Sequence, residues 1–298
     1  MISIRTRAIL ALILTMVLWG SAAVFMRTLA LSLSPENSLA VRYVLLSVIN
    51  VAGLWWLGTW RIPKADWPRF LVAGIIGMAG YNWFVNLGFE LVPAGVGTLV
   101  TMVQPLMIAI LAAMLLGEKL TVYVFLGVAM AIAGSIVLFW PDITQTSPES
   151  VSLLGIVYLL ICCMGWAVYT IVSKPLLDRY DSFTVTAMTM LIAAPIMIGA
   201  ASEPLPVLMA KLDMRQWFEV VYLVISAGVG GTMLWNYGTK HLSGTAAGTF
   251  LYLIPVVAVV AGALVLDEAV TIWIIAGGTL MLLGVAAAQF GPEIRRKA

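Results

Sequence analysis

Charge is what this sequence has least of: Asp, Glu, Lys and Arg together make up 10% of its 298 residues, against about a quarter in an ordinary soluble domain. That scarcity excludes the soluble globular class. Acids are missing above all from the middle of the apolar runs, since Glu90, Glu118, Glu219 and Glu268 all stand at run ends. A proton relay inside a membrane needs an ionisable group there, so obligatory proton coupling has no visible carrier. The single histidine, His241, falls in a short turn, and the two cysteines, Cys162 and Cys163, are neighbours in an apolar run and read as core thiols. A metal centre, or a nucleophile with its base, needs a cluster of such groups. Neither an enzyme nor a bound metal or cofactor is therefore expected. The net charge of +2 is scattered over short loops, which leaves no footprint for nucleic acid. Polar connections are short as well. The longest in the first half runs 59–68, the halves join across 141–151, and neither has room for a soluble domain.

What fills the chain instead is apolar. Hydrophobic residues make up 62% of it, in charge-free runs of about 18 to 27 residues, the length that crosses a bilayer as a helix. The pattern predicts an all-α polytopic membrane protein with ten transmembrane helices, at 8–31, 39–58, 69–88, 94–116, 121–139, 152–173, 183–201, 216–238, 246–265 and 271–290. The first run follows Arg5 and Arg7 as a signal peptide would. No small-residue cleavage site precedes a soluble domain, so it reads as the first span. With the N-terminus inside, twelve of the 16 Lys and Arg residues collect at cytoplasmic ends, and four, Arg27, Arg42, Lys211 and Arg215, do not. That bias predicts cytoplasmic N- and C-termini.

The stretch from Ala94 to Thr121 returns as Gly244 to Thr271, 150 positions later. Pro105 meets Pro255, Glu118 meets Glu268, Asn86 meets Asn236 and Gly88 meets Gly238. One offset held over about sixty residues is the mark of an internal duplication. Residues 1–140 and 152–290 are expected to be the two repeats, with 291–298 a basic cytoplasmic tail. Five spans per repeat is an odd number, so the second repeat is expected to enter the membrane inverted. Two inverted halves, each with a broken helix near the bilayer centre, form the layout of a secondary transporter.

Pro105 and Pro255 lack an N–H and press on the carbonyl four residues back. The carbonyls of Thr101 and Leu251 then lose their helical partners and must face protein or a water-filled path. These prolines are the candidate hinges, and two ordinary kinks are the plainer reading. Deep in the spans lie Trp19, Tyr81, Asn82, Asn86, Thr101, Gln104, Trp166, Tyr169, Asn236 and Tyr252. Rings with a polar handle need a partner or a cavity at such depth. As a set these residues point to a polar and aromatic central cavity that binds a small molecule, while each alone could serve an interhelical hydrogen bond. The deep spans supply no Lys or Arg for a phosphorylated cargo. Arg27 and Arg42, near the outer ends of the first two spans, suit an anionic substrate group; they equally suit snorkelling or pairing with Glu36. Glu118 and Glu268 precede helices and suit the positive end of a helix dipole. Gly127, Gly134, Gly277 and Gly284 need little more than close helix packing.

Trp19-Gly20 with Arg27, Trp166 with Lys174, and the twin Pro…Glu hairpins together resemble the EamA repeats of the drug/metabolite transporter superfamily, over nearly the whole chain. Within that family the likeness is to inner-membrane exporters of aromatic amino acids. The resemblance implies a central cavity formed by spans 1–4 and 6–9, with spans 5 and 10 peripheral, in a bacterial inner membrane. It also implies export of aromatic and related amino acids, expected to run by alternating access; the lack of mid-span Asp and Glu predicts that the substrate's own gradient drives it. A monomer embedded in the lipid bilayer is expected to suffice. The alternative cargo is another small metabolite or a cationic drug, with proton coupling; the alternative class is a channel along the same polar path or an intramembrane enzyme.

Overall fold

Every regular element among the described residues of the computed structural model is helical. A backbone surrounded by lipid finds no water for its N–H and C=O groups, and a helix satisfies them internally. The structure describes residues 3–29, 32–146, 151–266 and 271–297; Glu268 and the side chains of Arg27, Leu266 and 290–297 lie outside the described residues. Ten long helices follow in order: α1 Ile4–Leu29, α2 Pro35–Leu57, α3 Lys64–Leu91, α4 Ala94–Leu116, α5 Val122–Leu138, α6 Leu153–Leu177, α7 Ser182–Gly199, α8 Met214–His241, α9 Gly244–Val265 and α10 Ile272–Lys297. Among the described residues nine helices are long and apolar enough to cross a membrane, and α5, with 17 residues, is the shorter one. The protein is thus an all-α polytopic membrane protein. Helix ends overrun the apolar runs, as where α1 takes in Arg5 and Arg7, because a helix continues past the hydrocarbon until a cap stops it. Two stretches without an expected span, Trp140–Gln145 and Leu205–Lys211, form short helices.

Local chemistry sets most boundaries. Thr121, Ser152, Asp181, Asp213 and Ser243 each accept a backbone N–H in the first turn of the helix that follows, satisfying donors that have no intrahelical partner. Gly58 and Gly117 end α2 and α4 at φ 66°, a left-handed conformation that glycine adopts without a Cβ penalty. At Gly117 the reversal lets Glu118 N–H donate to the Ala112 carbonyl.

Four helices are irregular inside. Chain α4 breaks at Met102-Val103, and Pro105 sits in the first turn of its second half, where a missing N–H costs nothing. In α9 the turn before Pro255 tightens to a 3-10 segment, Phe250–Tyr252. The π-helical segments of α3 and α8, Val72–Gly80 and Leu223–Gly231, have no proline to announce them. Their glycines admit neighbours instead. A Cβ on Gly77 would lie 2.6 Å from Tyr169 Cβ, and one on Gly231 would lie 2.5 Å from Trp19 Nε1.

Helices α2 and α7 pack on each other, α3 and α4 lie on α6, and α8 and α9 lie on α1. The α5–α10 pair depends on glycine. A Cβ on Gly127 would stand 2.5 Å from the Gly284 carbonyl oxygen, and one on Gly134 would stand 2.7 Å from that of Gly277. Backbone cannot yield as a side-chain tip can. Gly134→Ala is expected to cost about 1–3 kcal/mol, read as a lower unfolding temperature in detergent. Transport per folded molecule should be kept, and an unchanged unfolding temperature would show that the pair has slack.

The two ends of the bundle differ. At the end that carries Glu118, the second half of α4 packs against the first turns of α9. Among the described residues the first half of α4 has no comparable packing on the second half of α9 at the opposite end.

Candidate functional site

Trp166, in the middle of α6, is the hub of five rings drawn from four helices. Its centroid lies 5.1 Å from Trp19 of α1, 5.2 Å from Tyr81 of α3, 5.0 Å from Tyr169 of α6 and 5.8 Å from Trp235 of α8. The glycines of the two π-helical segments bring α3 and α8 close enough for this. Trp19 Nε1 donates to the Ala227 carbonyl inside the α8 segment at 2.9 Å. Asn236, one residue after Trp235, donates through Nδ2 to Tyr169 Oη at 2.8 Å and Thr186 Oγ1 at 2.9 Å.

Two atoms of these rings, one of Asn236 and one of Tyr252 on α9 have no partner. Trp166 Nε1, Trp235 Nε1, Asn236 Oδ1 and Tyr252 Oη are shielded from solvent and unbonded. Leaving such a group unpaired costs about 1–3 kcal/mol, and native interiors hold few of them. Three donors and one acceptor left open make this neighbourhood the candidate site.

The other expected site residues occupy varied positions. Asn82 Nδ2 donates to Tyr43 Oη at 3.2 Å and to the Met78 carbonyl, whereas Asn86 Nδ2 turns back to the Asn82 carbonyl at 2.6 Å. Thr101 Oγ1 donates to the Thr98 carbonyl. The Thr101 carbonyl that Pro105 deprives of a partner accepts a weak bond from Cys163 Sγ at 3.8 Å. Gln104 is buried at the start of the second half of α4, and Pro105 is buried beside it. Tyr252 is fully buried. Sequence reasoning left out Trp235, Tyr43, Thr186 and the bonding role of Cys163. Trp235 stood in view beside Asn236, but nothing local distinguishes it from a belt tryptophan.

Glu118 does not serve the helix it precedes. Thr121 caps α5, and Glu118 crosses to α9. Its Oε1 accepts from Gly244 N–H at 2.7 Å and Lys174 Nζ at 3.0 Å, and its Oε2 accepts from Thr245 N–H at 3.0 Å and Thr245 Oγ1 at 2.9 Å. Burial pushes the carboxyl up, but the Thr245 and Gly244 N–H groups and Lys174 outweigh it, so it is held below its ordinary value near 4.5. With Ser243 Oγ on Ala246 N–H, the N–H groups of the first three residues of α9 are all met. Asp66 braces the same end. It is buried and accepts from Arg179 Nη1 at 2.6 Å and Tyr180 Oη at 2.7 Å; burial, then the bond to Asp66, pushes the Tyr180 phenol up to about 12. Of the other acids, Glu90 is exposed and Glu219 is bound by Arg215 one turn earlier.

The sequence profile of the EamA-like transporter family matches twice, over residues 6–140 and 153–288. An uncharacterized transporter of Archaeoglobus fulgidus is 28% identical over 93% of this chain and 96% of its own length. A probable terminal-alkyne amino-acid exporter of Streptantibioticus cattleyicolor is 29% identical over 94% of this chain and 92% of its own. A probable amino-acid metabolite efflux pump of Escherichia coli is 25% identical, covering 98% and 97% respectively. One solved crystal structure superposes with a TM-score of 0.82 over 98% of this chain and 99% of that one, at 23% identity, which speaks for the fold alone.

Proposed function

From the premise that the chain belongs to the EamA-like transporter family, we propose that it exports aromatic and related amino acids by facilitated alternating access. Membership makes it a multi-pass membrane transporter of small molecules and not an enzyme. The observation that carries the cargo is the five-ring cluster around Trp166 with its buried unpartnered atoms. A guest ring packing there gains about 0.5–1.5 kcal/mol per aromatic pair, and the guest's polar groups fill the open hydrogen bonds. The names of two relatives, both tied to amino acids or their metabolites, support the same class.

In this reading α5 completes ten spans, arranged as two inverted five-helix repeats, in a bacterial inner membrane with both termini cytoplasmic. The protein works as a monomer. The Lys/Arg bias supports the orientation, and it places the Glu118 end inside. The packing of α4 on α9 there, without its counterpart outside, is the asymmetry expected of a carrier closed to the cytoplasm. Met102-Val103 with Pro105, and the turn before Pro255, are the hinges. The drive is the cargo gradient. Glu118 is held below its ordinary value, Glu90 is exposed and Glu219 is paired, which supports a cycle that needs no proton.

The test uses purified protein in proteoliposomes loaded with phenylalanine, tryptophan or leucine. Saturable exchange that favours the aromatic cargoes, with equal initial rates with and without an imposed pH gradient, is expected. Gradient-dependent accumulation above equilibrium would refute facilitated transport. Indifference between phenylalanine and leucine would refute the aromatic cargo.

A further inference from the structure

Arg42 lies seven positions into α2, counted from Pro35, a depth of about 10 Å at a helical rise of 1.5 Å per residue. A guanidinium stays charged at any pH a protein meets. Its Nε is shielded from solvent and has no hydrogen-bond partner. The ion pairs between described side chains engage Glu118, Asp66, Glu203 and Glu219, and none reaches Arg42. Glu36, the one acid on α2, is occupied by Ser34 Oγ at 2.6 Å and Ser202 Oγ at 3.3 Å. Pairing with Glu36 is therefore not what holds Arg42.

The surroundings of Arg42 point inward. Tyr43, the next residue of α2, is buried, and its hydroxyl faces α3. The same hydroxyl accepts from Asn82, and Tyr169 accepts from Asn236. Arg42 thus adjoins, through Tyr43, the Asn82 hydrogen bond on α3, the helix that also carries Tyr81 of the Trp166 cluster. The residue as a whole is only partly covered, which leaves its Nη fork accessible. A cation within a membrane protein without a counter-charge is among the most costly arrangements it can keep. Such sites mark a missing anion, and the planar fork fits a carboxylate with two parallel hydrogen bonds.

We propose that Arg42 receives the carboxylate of the transported amino acid and so selects carboxylate-bearing cargo over the corresponding amides and amines. This rests on the amino-acid reading above and adds the residue that holds the acid end. The ring and the carboxylate then have separate anchors, the Trp166 cluster and Arg42.

The test compares wild type, Arg42→Gln and Arg42→Lys for exchange of phenylalanine against phenylalanine amide, which keeps the ring and the amine. Wild type is expected to prefer the acid by about tenfold or more, the worth of a charged hydrogen bond. Arg42→Gln should lose that preference and Arg42→Lys should keep part of it. Ligand-free Arg42→Gln should unfold no lower than wild type, because an uncompensated cation has been removed. Arg42→Gln unfolding well below wild type would mark Arg42 as a structural contact and overturn the proposal, as would an unchanged acid-over-amide preference. Thermal stabilisation in detergent by benzoate against benzamide separates this inference from the amino-acid reading. Stabilisation by benzoate alone, lost in Arg42→Gln, upholds Arg42 even where no amino acid is carried. No stabilisation of wild type by either benzoate or phenylalanine overturns it.

Discussion

Glu118→Ala is expected to open the end of the bundle that α4 and α9 close, and to slow transport at least about tenfold without unfolding the protein. The carboxylate accepts four hydrogen bonds, from two backbone N–H groups, a hydroxyl and an ammonium. Hydrogen bonds to a charged group contribute about 1.5–3 kcal/mol each, though bonds sharing one carboxylate are far from additive. Even a net bias of about 3 kcal/mol moves a two-state equilibrium by about a hundredfold. A carrier needs both states within reach, so a bias of that size stalls the cycle in the other state. Ala247, fully buried beside the latch, can report the change. A cysteine placed there should react slowly with a membrane-impermeant maleimide from the Glu118 side, and much faster in Glu118→Ala. Equal labelling with equal transport would leave Glu118 a passive helix cap.

Glu118→Gln separates charge from shape. An amide oxygen still accepts from Gly244 or Thr245, but the attraction to Lys174 and to the positive end of α9 is lost. An intermediate effect is expected. The pH dependence has a definite sign. In the latched state the carboxyl is held below 4.5, so the latch is at full strength above that value and is lost as pH falls through the lower, latched one. Across about pH 6 to 8 the group is ionised whether latched or released. Opening therefore takes up no proton at Glu118, and the labelling rate at position 247 should be flat over that range. A rate that climbs as pH drops from about 8 to 6 would show another titrating group in the latch.

Trp166→Ala is expected to abolish aromatic exchange and to destabilise the protein by about 3–5 kcal/mol, the range for emptying a large aromatic site in a core. The ring touches Trp19, Tyr81, Tyr169 and Trp235, so its loss leaves a hole with walls on four helices. Stability and transport fall together in that variant, which makes Trp166→Phe the sharper one. It keeps a ring face and removes the unpartnered Nε1–H. Because that N–H has no bond to lose in the empty protein, unfolding should shift by only the volume change. Cargo affinity should still drop, since the donor is there for the guest. Wild-type KM in Trp166→Phe, with normal discrimination between phenylalanine and leucine, would reduce the ring cluster to packing.

Helical class and multi-pass character were legible in the residues because both rest on local rules. An apolar run of bilayer length must be helical, and a proline must disturb the helix four residues back. Hence the irregularities near Pro105 and Pro255 were foreseen, although α4 breaks at Met102-Val103 rather than at the proline. The π-helical segments were not foreseen. Nothing in Val72–Gly80 or Leu223–Gly231 forbids an ordinary α-helix; the wide turns answer to neighbours, as Gly231 does to Trp19.

Partners were illegible for the same reason. Glu118 was read as a helix N-terminal anion, which is what it is, but for a helix 126 positions along the chain and not for α5. Arg42 and Glu36 stand six apart on one helix, and sequence spacing alone left their pairing open; in the structure no ion pair between described side chains reaches Arg42. Trp19 and Trp166 were two deep indoles, and Trp235 one that nothing local set apart, until helix packing brought their rings within 6 Å. Which segments enter the membrane is a matter of transfer free energy, additive along the chain and so readable residue by residue. Which side chains meet depends on helix rotation, tilt and close approach, set by all the helices at once.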